Sequence, residues 1–337
     1  MKKDSIIMAG DVGGTKCLLA LFQIKNGETS MLAVSEYASS GYSNFYSLVR
    51  EFLEENPAKP EIAVFGIPGP IKNGEVKSTN LPWFISEKEL SRDTGIAHVK
   101  LLNDLAATAY SLPGLPAKEI DPLISGEKAR HPQRYVVIAP GTGLGQAFLI
   151  CKDDKKIIVP SEGGHATYAP TGLAEAELFS FLHKKYGRVS NERIISGSGL
   201  PNVFDFLVED QKQTPEKETL ENMKTRDRAI VISEMALSNK DQVCVQAMDI
   251  FVSALAAHAA NLALTFMPDG GIFLAGGIPH KIFPKLSDGQ FEKVFLNAGK
   301  MKNVVESIPV YVINNNRAAL KGAAQLAFEL LNQINNE

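Results

Sequence analysis

Cysteine is scarce in this sequence, with three residues among 337. They lie far apart and form no C-x-x-C pair, so the sequence suggests neither a disulfide framework nor a zinc site. The core of a secretory signal is also missing, because the first apolar run ends at Gly10. We therefore expect a cytoplasmic protein.

Neither sign of charge is in clear excess: 35 Lys and Arg residues stand against 38 Asp and Glu residues, for a net charge of −3. The basic surplus typical of proteins that bind nucleic acid or anionic membranes is missing. No window approaches the ~20 apolar residues of a membrane span. The length of 337 residues predicts about two domains. We expect a globular protein whose partners are neither nucleic acid nor membrane.

Glycine is well supplied, and one glycine-rich stretch joins two apolar runs near the start of the chain: Gly10-Asp11-Val12-Gly13-Gly14-Thr15-Lys16. The apolar runs predict strands, so this stretch is the turn of a hairpin. Glycines allow backbone N–H groups to approach an anion, and an aspartate can hold a Mg²⁺ ion that binds phosphate. The turn is either such a phosphate-and-metal loop or an ordinary tight turn. The charge of Lys16 either reaches a ligand or is solvated.

A second strand–turn–strand unit follows about 130 residues later, around Pro140-Gly141-Thr142-Gly143-Leu144-Gly145. Two hairpins of one design suggest two related lobes. A third glycine turn, at 275–278, also follows a predicted strand, and the three turns together can surround one polyphosphate. The β-β-β-α-β start differs from the βαβ start of a dinucleotide-binding domain. The phosphate loop G-x-x-x-x-G-K-[ST] is absent.

Asp104 ends a predicted strand and begins a predicted helix. A partly desolvated carboxylate there can accept a proton from an alcohol, but capping the helix is an equally ordinary role for such a residue. Asn103 carries amide donors and an acceptor that suit a ligand with several hydroxyl groups.

Further along the chain, Glu162 and His165 flank two glycines and can reach one ligand, although both can also be plain loop residues. Glu192 either binds a ligand or is an acidic residue in the first turn of a helix. Asn80 is a turn residue unless its loop faces a ligand. His258, on an apolar helix, reads as a core histidine with a hydrogen-bond partner, and the polar stretch 205–245 reads as surface helices and a mobile insertion.

Taken together, these motifs resemble those of bacterial ATP-dependent glucokinases, which belong to the actin-like ATPase superfamily. The resemblance runs from residue 5 to about residue 327 and rests on motifs in the same chain order: 10–15, Leu102-Asn103-Asp104, 140–145, Glu162-Gly163-Gly164-His165, Ser190-Asn191-Glu192-Arg193 and Ala275-Gly276-Gly277.

The resemblance implies an α/β fold of two lobes, the ribonuclease H-like fold of actin-like ATPases. Each lobe would contain a mixed five-stranded sheet, and sugar and ATP would bind in the cleft between the lobes. The small lobe is expected at residues 1–106 and 315–337, and the large lobe at residues 107–314. The family also suggests a homodimer.

The family's residue roles carry over to matching positions of this chain. Asp104 would be the general base for the sugar 6-hydroxyl, and Asp11 would hold Mg²⁺ through water. Sugar hydroxyls would bind to Asn80, Asn103, Asp104, Glu162, His165 and Glu192. ATP would contact Gly10, Asp11, Val12, Gly13, Gly14, Thr15, Lys16, Gly141, Thr142, Gly143, Gly276 and Gly277.

The related repressor and kinase family carries a cysteine-rich zinc motif after its Gly-His element, and here residues 166–188 contain no cysteine. Structural zinc is therefore not expected. The implied reaction is phosphorylation of glucose by ATP. A kinase for another hexose or an N-acetyl hexosamine stays open, as does a sugar-sensing protein without turnover.

Overall fold

The computed structural model describes residues 5–78, 81–127, 129–153 and 155–336. The strands in this part of the chain are β1 (Ser5–Val12), β2 (Lys16–Lys25), β3 (Glu28–Ala38), β4 (Ile62–Ile67), β5 (Glu75–Lys77), β6 (Phe84–Ser86), β7 (His98–Asn103), β8 (Ile120–Ile124), β9 (Arg134–Pro140), β10 (Leu144–Lys152), β11 (Lys155–Ser161), β12 (Gly271–Leu274) and β13 (Val310–Ile313).

The α-helices in the same residues are α1 (Phe45–Glu55), α2 (Glu87–Thr94), α3 (Asp104–Ser111), α4 (Leu173–Tyr186), α5 (Leu200–Asp205), α6 (Lys217–Asn222), α7 (Arg228–Leu237), α8 (Gln242–Phe266), α9 (Gly277–Lys281), α10 (Phe283–Leu286), α11 (Gln290–Phe295), α12 (Lys302–Glu306) and α13 (Ala318–Asn336). A π-helical turn, Phe206–Asp210, continues α5, and short 3₁₀ turns include Ser39–Gly41, Gly163–His165 and Asn191–Arg193.

The chain divides into two compact units. The first comprises Met1–Leu115 and Asn315–Glu337, and the second comprises Pro116–Asn314. Compared with the expected boundary at residue 106, the first unit extends to Leu115 and therefore contains the whole of α3.

The first unit is built on a mixed five-stranded sheet with the order β3-β2-β1-β4-β7. Helices α1 and α2 cover one face, where Phe45 and Phe52 of α1 join Phe65 of β4 in a core cluster. Helix α13 covers the other face with an alanine-rich stripe. Strands β4 and β7 run parallel to β1, so the carboxyl ends of these three strands lie side by side.

The second unit contains a mixed six-stranded sheet with the order β11-β10-β9-β12-β13-β8. Five of its strands repeat the order and directions of the first sheet, with an antiparallel β9-β10-β11 meander followed by β12 and β13 parallel to β9. The expectation of five strands is wrong for this unit, because β8 adds an antiparallel edge strand next to β13. The sequence around β8 is rich in Pro and Gly, and an edge strand tolerates Pro122.

Part of the polar stretch 205–245 is buried in the core, whereas the sequence predicted surface helices and a mobile insertion. Helix α7 buries Val231, Ile232 and Met235 in the core cluster that also contains much of α8. Composition misleads here because short helices need to bury only one narrow apolar stripe.

Helix α8 is long and apolar enough to cross a membrane, which the search for long apolar runs did not anticipate. Most of it is buried inside the second unit, as expected of the core helix of a globular protein. Its apolar composition is therefore explained by packing.

The packing of α13 on α3 requires a close approach at Gly322, where a Cβ atom would lie 1.8 Å from the carbonyl oxygen of Ala107. We expect Gly322→Ala to lower the free energy of unfolding by about 1–3 kcal/mol, although alanine is the better helix former. Urea unfolding followed by circular dichroism measures this change. The matched control is Gly114→Ala, because a Cβ atom there meets nothing within 4 Å. Equal stability of the two variants would contradict the packing argument.

Candidate active site

The β1–β2 turn of the first unit is fixed by hydrogen bonds from Ser39. The Ser39 hydroxyl donates to the carbonyl oxygen of Gly13 at 2.7 Å, and its N–H donates to that of Thr15 at 2.9 Å. The N–H of Gly13 donates to the carbonyl of Lys16 at 2.8 Å. Ser39 is fully buried. Local sequence could not identify Ser39, because its role depends on the end of β3 lying beside the turn.

Not every residue of the glycine-rich stretch faces the turn. Gly10 lies within β1, where a Cβ atom would come within 2.6 Å of the Phe65 ring and 2.7 Å of Leu19. Val12 is buried in the same apolar core. Gly10 pairs with Leu19 and Phe65 on the two neighbouring strands, and Val12 pairs with Cys17, so both residues belong to the sheet, whereas the turn itself is formed by 13–15.

Lys16 forms an exposed salt bridge with Glu36 on the neighbouring strand β3. Such a pair contributes little to stability, since water and salt screen it. The positive charge of Lys16 is nevertheless neutralised locally, which weakens the case for a direct role in binding phosphate.

Asp11 and Asp104 lie at neighbouring strand ends of the first sheet. Asp11 of β1 is paired with Gly66 of β4, and Gly66 is paired with Leu102 of β7, just before Asp104. Burial, followed by the charge of Asp104, raises the pKa of Asp11 from 3.8 to about 7. Burial also raises the pKa of Asp104, although hydrogen bonds, including one from the N–H of Leu105, oppose this rise.

Asn103, rather than Asp104, is the principal cap of α3. Its Oδ1 accepts hydrogen bonds from the N–H groups of Leu105 and Ala106 at 3.0 and 3.2 Å. Asp104 accepts a single 2.8 Å bond from Leu105, the N–H that Asn103 also binds. The helix end is therefore satisfied without Asp104, and the Asp104 carboxylate keeps spare lone pairs for another partner. Asn80 lies outside the described residues.

In the second unit, Glu192 connects the β9–β10 turn to the loop of His165. One carboxylate oxygen of Glu192 accepts a hydrogen bond from the N–H of Leu144 at 3.0 Å. The other lies 3.9 Å from Nδ1 of His165. A Cβ atom at Gly143 would come within 2.5 Å of the Glu192 carboxylate, so a larger residue there would displace this carboxylate from its position.

The two glycines between Glu162 and His165 allow this loop to lie directly on β10. A Cβ atom at Gly163 would be 1.9 Å from Nε2 of Gln146, and one at Gly164 would be 1.9 Å from the carbonyl oxygen of Leu144. Both contacts are too short for any side chain. The glycines therefore serve close packing, and they bring the two flanking polar residues above the end of the strand.

A cavity of about 440 Å³ joins two of the predicted glycine turns within the second unit. Gly141 and Thr142 come from the β9–β10 turn, and Gly277 begins α9. Gly276, with φ of +88°, makes the sharp turn before α9, and a Cβ atom there would be 3.3 Å from the carbonyl of Pro140.

Sequence reasoning missed most of the lining of this cavity. The additional lining residues come from α7, α8, α9, the 196–200 segment and adjoining positions: Ser196, Gly197, Ser198, Leu200, Asp227, Ala229, Ile230, Ser233, Met248, Phe251, Ile278, Lys281 and Ile282. This set combines apolar walls with hydroxyl groups and one Lys, which suits a flat heterocycle joined to a polar chain.

The described part of the chain contains no group of three or more His, Cys, Asp or Glu side chains suited to holding a divalent cation. Asp11 and Asp104 supply two neighbouring carboxylates, which are the ligands that Mg²⁺ prefers. Mg²⁺ commonly binds to one or two carboxylates together with substrate phosphates. The residues fit a cation that arrives with a phosphate ligand.

Comparison with known proteins identifies the family. The family model described as glucokinase matches residues 8–330. A glucokinase of Nostoc punctiforme is 36% identical over 343 aligned residues, which cover 97% of this chain and all of that protein.

Solved structures agree in fold. The crystal structure of a glucokinase from an Antarctic psychrotroph superposes with a TM-score of 0.86 at 28% identity, covering 96% of this chain and 99% of that one. A ROK family glucokinase from Streptomyces griseus, solved with glucose and AMPPNP, has a TM-score of 0.62 at 20% identity, with 96% and 100% coverage. At that identity the second likeness concerns the fold alone.

The raised pKa of Asp11 predicts a pH-dependent cost in the ligand-free protein. Between pH 3.8 and about 7 the folded state binds more protons than the unfolded state, so the free energy of unfolding falls as pH rises through this range. The full cost is at most about 4 kcal/mol above pH 7. We expect Asp11→Asn to be more stable than wild type at pH 8, with a much smaller difference at pH 5, by urea unfolding. The exposed Glu54→Gln serves as the control, and a pH-independent effect of Asp11→Asn would contradict the assignment.

Proposed function

The chain belongs to the glucokinase family and phosphorylates glucose with ATP, and we propose that Asp104 is the general base of this transfer. The observation that carries the proposal is the partly buried carboxylate of Asp104, which the cap of α3 does not require and which lies beside Asp11 at the strand ends. A pKa raised towards neutrality suits a base that must accept a proton and return it to solvent.

In the proposed step, the 6-hydroxyl oxygen of glucose bonds to the γ-phosphorus of ATP while the bond from that phosphorus to the β–γ bridging oxygen breaks. Asp104 accepts the hydroxyl proton, and ADP leaves with the bridging oxygen. Transfer of this kind depends on alignment and electrostatic stabilisation more than on covalent catalysis.

We assign the phosphates to the backbone N–H groups of the turns at 13–15 and 141–143, with the hydroxyls of Thr15 and Thr142 as further donors. The adenosine is assigned to the cavity beside Gly276 and Gly277. Its size and its apolar walls, including Ile278 and Ile282, support this assignment.

We assign the sugar hydroxyls to Asn80, Asn103, Asp104, Glu162, His165 and Glu192. The bond from Leu144 to Glu192, together with the nearness of His165, supports a role for Glu192 in aligning sugar and phosphate. The cleft between lobes that the family implies is part of this proposal. Lobe closure on the sugar would exclude water and limit ATP hydrolysis.

Asp11 would hold Mg²⁺ through water, since it is a carboxylate beside the phosphate-binding turn. The ion, when bound with ATP, would neutralise the charge of the phosphates. Asp11 would orient the water molecules around the ion by accepting their hydrogen bonds, and in the ligand-free protein the charge of Asp104 helps to raise the pKa of Asp11. We further propose that the enzyme is a cytoplasmic homodimer.

Replacement of Asp104 by Asn keeps a hydrogen-bonding group but removes the base. We expect Asp104→Asn to lower kcat by about 10²–10⁴ with a much smaller change in KM for glucose. A coupled assay for ADP measures both constants, and the exposed Glu54→Gln on α1 serves as the control.

A near-normal kcat in folded Asp104→Asn would show that another group is the base. The same assay with mannose, fructose and N-acetyl hexosamines tests whether the protein phosphorylates these sugars. Absence of turnover by wild type with every sugar would instead favour the sugar-sensing alternative.

The cavity assigned to adenosine can be narrowed without straining the fold, because a Cβ atom at Gly277 meets nothing within 4 Å. We expect Gly277→Leu to raise KM for ATP by about tenfold or more by occupying the cavity, while glucose affinity stays unchanged. Steady-state kinetics and glucose calorimetry measure the two effects. Gly172→Leu, which also meets open space but lies outside the cavity lining, is the control. An unchanged KM for ATP would move the adenosine site elsewhere.

A further inference from the structure

A chain of buried hydrogen bonds connects the core helix α8 to the 162–165 loop. Gln146 of β10 is its centre: Nε2 donates to the hydroxyl oxygen of Ser161 at 3.0 Å, and Oε1 lies 3.0 Å from Nε2 of His258. The Ser161 oxygen also accepts from the N–H of Gly163 at 3.1 Å. This series of hydrogen bonds therefore ends on the backbone of the loop.

The orientation assigned to the Gln146 amide implies one tautomer of His258. With Nε2 of Gln146 donating to Ser161, its Oε1 accepts and His258 donates from its own Nε2. Burial lowers the pKa of His258 to about 4, so the ring is neutral near pH 7. His258 is then a stationary donor on a rigid core helix, with a defined orientation.

The 162–165 loop depends on these hydrogen bonds because the packing beneath the loop is incomplete. A cavity of about 210 Å³ is lined by Gly163, Ala166 and Thr167 on the loop side and by Ala254, Ala257 and His258 on α8. Apolar contacts beneath this part of the loop are therefore few. In contrast, a Cβ atom at Gly163 would lie 1.9 Å from Nε2 of Gln146, so the loop backbone rests on that amide.

We propose that Gln146 and His258 are positioning residues for glucose: they hold the 162–165 loop where Glu162 and His165 can bind the sugar. This inference rests on the sugar-binding role assigned to the loop under the proposed function. The two residues act through the loop, and neither takes part in proton or phosphoryl transfer. The two residues set the position of the loop. Loss of either bond therefore lets the loop shift, which weakens the binding of glucose more than that of ATP.

The test compares His258→Leu and Gln146→Leu with wild type. Leucine is similar in volume to His and Gln but forms no side-chain hydrogen bond, so each variant breaks this series of hydrogen bonds. We expect KM for glucose to rise about tenfold, as for the loss of a well-placed hydrogen bond, while KM for ATP changes less than about twofold. His258→Gln should restore KM for glucose, because its Nε2 can donate from nearly the same position.

The variant Val252→Ala distinguishes the positioning role from a purely structural one, because it truncates a fully buried side chain elsewhere on α8. It should lower the melting temperature but leave KM for glucose unchanged. An equal rise in KM for glucose in Val252→Ala would overturn the proposal, as would unchanged KM values in folded His258→Leu and Gln146→Leu. Should the Leu variants fail to fold, His258→Asn moves the donor while keeping polarity, and an unchanged KM for glucose in that variant would overturn the proposal.

Glu162→Gln and His165→Ala distinguish failure of this inference from failure of the proposed function. If they raise KM for glucose and the Leu variants do not, only the positioning role is wrong. If they leave sugar binding unchanged, the loop is not the sugar site, and the positioning role fails with it.

Discussion

The close approach of α3 to the sheet at Gly66 is the constraint on which the catalytic end of the first unit depends. A Cβ atom at Gly66 would lie 3.2 Å from Cβ of Ala107 and 3.5 Å from Cα of Asp104. Glycine therefore lets the start of α3 lie directly over the end of β4, with Asp11 on the neighbouring strand. Two carboxylates then share a half-buried region, where burial and the charge of Asp104 raise the pKa of Asp11. Under the proposed function, a bound cation would offset this repulsion. Such local destabilisation is typical of sites built for chemistry.

Sequence patterns predicted the strands and turns of the site, but they did not predict the packing roles of its glycines. The hairpin at 10–16 was predictable because two apolar runs flank a glycine-rich turn, and the position of Asp104 followed from the strand before it. The packing roles of Gly10, Gly163 and Gly164 could not be foreseen, because each glycine meets a residue from another strand or turn. The edge strand β8 and the core positions of α7 were missed for a related reason. The partner of β8, strand β13, is distant in sequence, and for α7 the polar composition of the surrounding stretch favoured a surface position.

In the second unit, glycines and polar side chains together hold three segments of the chain close to one another. The β9–β10 turn, the 162–165 loop and the 191–193 turn must lie within hydrogen-bonding distance, which requires close packing. Gly164 lets the loop lie on the backbone of Leu144, and Gly143 and Gly163 leave room for the side chains of Glu192 and Gln146. Glu192 then bonds to the N–H of Leu144, and Gly197 donates to the carbonyl of Gly141 at 2.7 Å. A shift of any one segment would therefore be felt by the other two, which is how residues without ligand contacts can still govern affinity.

The two hairpins share a design but differ in charge at the matching position, and this difference has a physical basis. Asp11 lies one residue before the end of β1, where it pairs with Leu18, and the matching position of β9 is Ala139, which pairs with Gly145. Backbone N–H groups and a hydroxyl attract phosphate oxygens, while a carboxylate repels them unless a cation stands between. A second aspartate would add repulsion without adding a use for it, because one cation needs only one or two protein carboxylates. Divergence of the two hairpins at this position therefore fits the proposed function. The carboxylate lies in the unit that also carries Asp104, and a cation that offset the charge of the phosphates there would also offset that of Asp11.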